Sequence, residues 1–138
     1  MDFFTFISQE WILVSLLVIL IYTFAFTERV KGGKPISAHE TTRLMNEEAA
    51  VLVDIRDAKE FNAGHIAGSL HMPAAKIASR ASELEKHRDK VIILADKIGQ
   101  HTGAVGKTLG KEGFKIRRLQ GGVSEWSSQG LPLIKKKA

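Results

Sequence analysis

Val91-Ile92-Ile93-Leu94-Ala95 runs directly into Asp96-Lys97-Ile98-Gly99-Gln100-His101-Thr102 and then into Gly103-Ala104-Val105-Gly106-Lys107-Thr108-Leu109. An uninterrupted apolar run, β-branched in its first three residues, suits a strand buried on both faces, as strands of parallel sheets are. The polar segment after it is a loop. Val105 and Leu109, four apart, then give residues 103–112 the period of a helix that Gly113 stops. Strand, loop and helix in this order make half of a crossover unit.

The alternation continues on both sides of this stretch. Upstream, Ser37 and Glu40 form a capping box that starts a helix running to about Met45. Residues 50–55 form a second continuous apolar run carrying Asp54 near its end, and 57–62 read as a short helix stopped before Gly64. Residues 69–72 read as a brief strand ended by Pro73, and 74–87 as a helix. Downstream, 115–119 form a last strand that Gly121 and Gly122 break, and 123–129 close the pattern with a final helical turn or two. Strands separated by helices imply an α/β domain with a parallel sheet. In such sheets ligands bind beyond the carboxyl ends of the strands. Three loops lie there: 54–57, 64–68 and 96–102. The third opens a helix, so its backbone amides can form a cradle for an anion.

The 138 residues include no cysteine, which excludes disulfides, thiolate metal sites, CxxC redox pairs and any thiol nucleophile. Gly106-Lys107-Thr108 ends like a phosphate-binding loop, but the first glycine of GxxxxGK[ST] would fall on His101. The segment reads better as a helix with Lys107 exposed and Val105 and Leu109 buried. His65, His71 and His101 show no regular metal-ligand spacing, so neither a metal nor a cofactor is expected.

The N-terminus has a different composition. Residues 11–27 are 17 consecutive uncharged positions, mostly Leu, Ile, Val and Phe, between Glu10 and Glu28. As a helix they extend about 25 Å, slightly short of a hydrocarbon core of about 30 Å. Phe3, Phe4, Phe6 and Ile7 are expected to supply the difference at one interface. Asp2 and Glu10 precede the stretch, with no basic front and no small-residue cleavage site, which argues against a secretory signal. Glu28, Arg29, Lys31 and Lys34 follow it, so the positive flank is C-terminal and the domain is expected on the cytoplasmic side of an inner membrane, with the N-terminus outside.

The expected organisation is a short N-terminal segment over 1–10, a transmembrane helix over 11–27 and a basic linker over 28–35. A domain over 36–134 and a basic tail over 135–138 complete it. Residues 35–138 carry 17 Lys and Arg against 12 Asp and Glu, within a net charge of +5 for the chain. Beside a membrane such an excess suits anionic headgroups, and no aromatic-rich basic stripe points to nucleic acid.

Val53-Asp54-Ile55-Arg56, Glu60-Phe61, Gly64-His65-Ile66-Ala67-Gly68-Ser69, Gly113-Phe114, Leu119-Gln120-Gly121-Gly122, Trp126 and Leu131-Pro132 follow one another in that order. As a set, spanning roughly 35–134, they resemble the rhodanese domain. With the N-terminal apolar helix the chain resembles the small membrane-anchored rhodanese-like proteins of bacteria. The resemblance implies a five-stranded parallel sheet flanked by helices. It also implies a cysteine at the start of the loop after the fourth strand, whose thiolate is held as a persulfide by the loop amides and an arginine.

In the family's register that cysteine position falls on Asp96, Gly99 matches the loop glycine, and His101 and Thr102 stand where the arginine and its follower belong. The degenerate loop is thus Asp96, Lys97, Ile98, Gly99, Gln100, His101 and Thr102, supported by Asp54, Arg56 and His65. A carboxylate cannot carry a persulfide. Asp96 is instead expected to accept the loop's own N–H groups and so fill the anion site with the protein's own charge.

Asp54 and Arg56 then read as an ion pair fixing the strand-to-helix turn rather than as catalytic groups. His65 reads as structural, and Trp126 and Phe114 as core anchors. An aspartyl-phosphate enzyme built on Asp96 is the alternative chemistry, with Asp54 and Asp57 as the available Mg²⁺ ligands. The expected function is a catalytically inactive, membrane-tethered module that binds another protein. Its rival is an enzyme with altered or partner-assisted sulfane-sulfur chemistry.

Overall fold

The computed structural model describes residues 2–135, so of the expected basic tail only Lys135 lies within the described residues. The chain divides into two compact units, Met1–Val30 and Lys31–Ala138.

The first unit holds helix α1 (Phe3–Gln9) and all but the last residue of helix α2 (Trp11–Lys31). The Asp2 carboxylate caps α1 by accepting the Thr5 N–H at 2.7 Å. The two helices meet at Glu10 with a bend of 88°. Among the described residues no single helix is long and apolar enough to cross a membrane; Phe3–Gln9 and Trp11–Thr27 reach that length only together. In place of the single transmembrane helix expected over 11–27, the described residues offer only this bent pair. Phe3, Phe4, Phe6 and Ile7 belong to a separate helix that turns away, so they do not prolong the axis of α2.

The second unit is built on strands β1 (Lys34–Ile36), β2 (Ala50–Asp54), β3 (Leu70–His71), β4 (Val91–Ala95) and β5 (Lys115–Leu119). All pair in parallel in the order β1-β5-β4-β2-β3. Helices α3 (Ala38–Asn46), α4 (Ala58–Ala63), α5 (Ile77–Arg80) and α6 (Thr102–Lys111) connect them, and α7 (Gly122–Ser128) follows the last. The apolar runs work as a two-faced core because strand side chains alternate. From β4, Ile92 and Leu94 pack with Val53, Ile77, Leu84, Val105 and Leu109 on one face. Ile93 and Ala95 pack with Leu52, Ile66, Val123 and Trp126 on the other.

The segment read as a linker over 28–35 ends inside the sheet, since Lys34–Ile36 is strand β1. Its three residues carry a lysine and a proline, a composition that hides a strand from pattern reading. Both are tolerated because β1 is an edge with β5 as its partner. The Arg117 guanidinium donates to the Lys34 and Pro35 carbonyls, and Arg118 Nε to the Gly33 carbonyl at 2.7 Å. The backbone leading to β1 lies so close to α6 that a Cβ on Gly106 would stand 2.1 Å from the Gly32 carbonyl oxygen. Close backbone packing thus accounts for the glycine that imitated a phosphate loop.

The helix expected over 74–87 is three pieces: a 3₁₀ turn Ala74–Lys76, α5, and a 3₁₀ segment Ala81–His87. Residues i and i+3 eclipse in 3₁₀ geometry. The ion pairs Arg80–Glu83 and Glu85–Arg88 have this spacing, at 2.6 and 2.5 Å, and Ala81 and Leu84 reach the core with it.

The segment ends at His87, whose Nε2 is buried without a hydrogen-bond partner among the described residues. Burial, then Lys86 and Lys90, push its pKa below the ordinary 6.5. The unfolded chain therefore binds a proton here that the folded chain resists, so stability is lost as pH falls below about 6.5. Urea unfolding at pH 7.5 and at pH 5.5 is expected to show a smaller acid loss for His87→Gln than for the unmodified protein. Equal losses in both would remove His87 from the titration.

Candidate functional site

Parallel pairing of β2 with β4 sets Asp54 beside Ala95 and puts the two carboxyl ends next to one another. A cleft of about 580 Å³ opens there, lined by Ile55, Arg56, Asp57, Glu60, Asp96, Lys97, Ile98, Gln100 and His101.

The loop after β4 is organised around Asp96, which is 4 % exposed. Its carboxylate accepts the Gly99 N–H through Oδ1 and the His101 N–H, at 2.7 Å, through Oδ2. Inward-pointing amides at the mouth of α6 are therefore met by a side chain of the same loop. Thr102 is buried and its hydroxyl donates to the Gly99 carbonyl at 3.3 Å. From below, the start of α7 holds the loop's first residues: Val123 N–H donates to the Asp96 carbonyl at 2.8 Å and Ser124 N–H to the Lys97 carbonyl at 2.9 Å. This approach needs Gly121-Gly122, since Gly122 has φ +64° and a Cβ on it would lie 2.4 Å from the Asp96 carbonyl oxygen.

On the other wall Asp54 is fully buried and paired with Arg56, whose side chain is 9 % exposed. Arg56 Nε donates to both carboxylate oxygens at 3.0 and 3.1 Å and Nη2 to Oδ2 at 2.8 Å, a fork that the planar guanidinium fits. Nη2 also donates to the Gly64 carbonyl at 2.7 Å, tying the end of β2 to the next loop. Among the described residues, the one guanidinium lining this cleft is thereby committed to the protein's own groups. The carboxylates Asp57 and Glu60 face the same space. Asp57 lies in the 54–57 loop expected at the carboxyl ends of the strands and Glu60 in the Glu60-Phe61 pair of the resemblance, but neither is part of the expected degenerate site. Asp57 does show the D-x-x-E spacing of a helix start, and its Oδ1 caps α4 by accepting the Glu60 N–H at 2.9 Å.

His65 does not line the cleft. It stacks on Phe61 with centroids 3.9 Å apart and bonds through Nδ1 to the Phe61 carbonyl oxygen. His71 stacks on the same ring at 4.3 Å, and its Nε2 bonds to the Arg56 carbonyl oxygen at 2.9 Å. The structure thus brings together Asp54, Arg56, Asp96, Lys97, Ile98, Gln100 and His101, and leaves His65 in a packed histidine–phenylalanine–histidine stack behind them.

The rhodanese-like domain family model matches residues 37–129. Uncharacterized protein YibN of Escherichia coli (strain K12) is 40 % identical over 134 residues, covering 95 % of this chain and 91 % of that protein. Thiosulfate sulfurtransferase GlpE of Pseudoalteromonas translucida is 33 % identical over 96 residues, covering 69 % of this chain and 90 % of its own length. Among solved structures, a rhodanese-related protein from Thermoplasma volcanium superposes with a TM-score of 0.68 at 25 % identity, over 75 % of this chain and 99 % of that one. On the match over residues 37–129 and the five-stranded parallel sheet alike, this chain belongs to the rhodanese-like domain family.

Proposed function

We propose that the chain is a rhodanese-like domain that has given up thiol chemistry, is held at the cytoplasmic face of a membrane through residues 11–27, and binds another protein through its cleft loops. The observation that carries this reading is the Asp96 carboxylate seated on the Gly99 and His101 amides. A sulfurtransferase of this fold needs a thiolate where that carboxylate sits, and the chain has no sulfur nucleophile. The cleft has the traits of a recognition surface instead. Ile98, an apolar side chain 51 % exposed, stands among Lys97, Gln100, Asp57 and Glu60. For the membrane, the support is the charge-free length of 11–27, its exposure on all sides and the basic residues that follow it.

The test is thiosulfate:cyanide sulfur transfer by the full-length protein in detergent, unmodified and as Asp96→Cys. No turnover is expected from the unmodified protein, and the variant is expected to form a persulfide detectable by mass spectrometry. Turnover by the unmodified protein alone would overturn the reading in favour of an enzyme with altered sulfane-sulfur chemistry.

A further inference from the structure

We propose that α1 is an in-plane foot, embedded in the headgroup boundary of the leaflet from which the N-terminal end of α2 emerges. The proposal rests on the reading of α2 as a membrane span and adds to it a second, differently oriented contact with lipid.

Three observations support it. The first is the right-angled elbow at Glu10: the Glu10 N–H donates to the Phe6 carbonyl at 2.9 Å, closing α1, and the Glu10 carbonyl accepts the Val14 N–H at 3.0 Å, opening α2. A helix bent 88° from a span lies along the bilayer surface when the span follows the normal.

The second is the distribution of residues on α1. At about 100° per residue, Phe3, Ile7, Phe4 and Phe6 fall on one arc of roughly 160°, and Ser8, Thr5 and Gln9 share the opposite side. A continuing transmembrane segment has no need of a polar side. A helix lying at the interface requires one. Phe3, Phe4 and Phe6 are 69, 80 and 48 % exposed, so nothing described in the chain covers that apolar face.

The third is charge. The first ten residues hold Asp2 and Glu10 and no lysine or arginine. Binding must then come from apolar insertion rather than from attraction to anionic lipid, which fits the leaflet opposite the basic flank of α2. Trp11 stands at the elbow, at the level where indole rings favour the interface. Such a foot would fix the depth of a span whose charge-free length is slightly short.

The absence of native cysteine makes the test direct. Single cysteines are placed at Phe3, Phe4, Thr5, Phe6, Ile7, Ser8 and Gln9, and at Leu16 and Ile19 as span references. The full chain is spin-labelled and reconstituted in phosphatidylcholine vesicles. Relaxation by oxygen is compared with relaxation by a water-soluble nickel chelate.

Positions 3, 4, 6 and 7 are expected at one shallow depth, with an oxygen-to-chelate ratio several-fold above that at 5, 8 and 9. Positions 16 and 19 are expected to be deepest. A ratio rising steadily from 3 to 19 would replace the foot by a straight span. Water exposure of all positions from 3 to 9, with 16 and 19 deep, would overturn the foot and keep the span. Water exposure of 16 and 19 would overturn both. Dipolar broadening between labels at position 4 or 7 would assign the apolar face to a second copy and refute the proposal. Of the unmodified chain's two tryptophans, Trp126 is buried in the domain core, so lipid quenching reads Trp11, and it is expected to be greater with lipids brominated near the headgroup than with those brominated at the chain ends. The opposite order would place the elbow deep in the bilayer and overturn the foot.

Discussion

Gly122→Ala is expected to destabilise the domain by about 3–5 kcal/mol, among the largest losses any single methyl group can cause here. The backbone at this position has φ +64°, where an L-residue costs about 1–2 kcal/mol. The added carbon would also stand 2.4 Å from the Asp96 carbonyl oxygen and 2.7 Å from that of Lys97. Neither atom is the tip of a flexible side chain. Relief requires α7 to retreat, which stretches the Val123 and Ser124 N–H bonds to those same carbonyls, each contributing about 1 kcal/mol. Overpacking of this kind adds about 1–3 kcal/mol of its own. Thermal unfolding should fall by roughly 12 °C or more for a domain of this size. Hydrogen exchange at Val123 and Ser124 should accelerate before global unfolding does. A variant within about 1 kcal/mol of the unmodified protein would show that α7 does not hold the loop.

Asp54→Ala is expected to cost about 3–5 kcal/mol, because it leaves the Arg56 guanidinium buried without its counter-ion. The pair itself need not be strongly stabilising, since both charges are removed from water. Double substitution of Asp54→Leu with Arg56→Met should therefore recover much of the loss. Glu83→Ala serves as the contrast: it breaks the Arg80–Glu83 pair, which stands in water on both sides, and should leave the unfolding midpoint nearly unchanged. Urea denaturation of the three variants separates the two cases. Equal losses for Asp54→Ala and Glu83→Ala would mean that the turn at Arg56 is held by Gly64 and the backbone alone. With total stabilities of about 5–15 kcal/mol, the first variant would stand near the edge of folding.

Both predictions concern loops or the turns that lead into them, and these differ in how plainly the residues announce them. The runs at 50–55 and 91–95 mark the centre of the sheet because a strand buried on both faces is apolar throughout. Asp96 is legible as the centre of its loop through its place between the most apolar strand and a helix, combined with the missing cysteine. Asp57 and Glu60 reach the cleft because α4 starts beside the loop after β4, a neighbourhood set by the pairing of β2 with β4. His65 is drawn away from the site by its stacking on Phe61, a contact no spacing rule expresses. β1 escapes pattern reading because an edge strand with one partner needs neither length nor apolarity. The break of 74–87 into 3₁₀ pieces escapes it because i,i+3 pairs also suit an α-helix.

The pairing of β1 with β5 also has a consequence in time. Lys34 finds its partner Arg117 only 83 residues later in the chain. At ribosomal rates of about 5–20 residues per second, the first strand waits roughly 4–17 s before its neighbour exists. During that interval β1 is still unpaired. Closing the sheet is then a non-local step whose loop entropy is met only once the chain has reached Arg117.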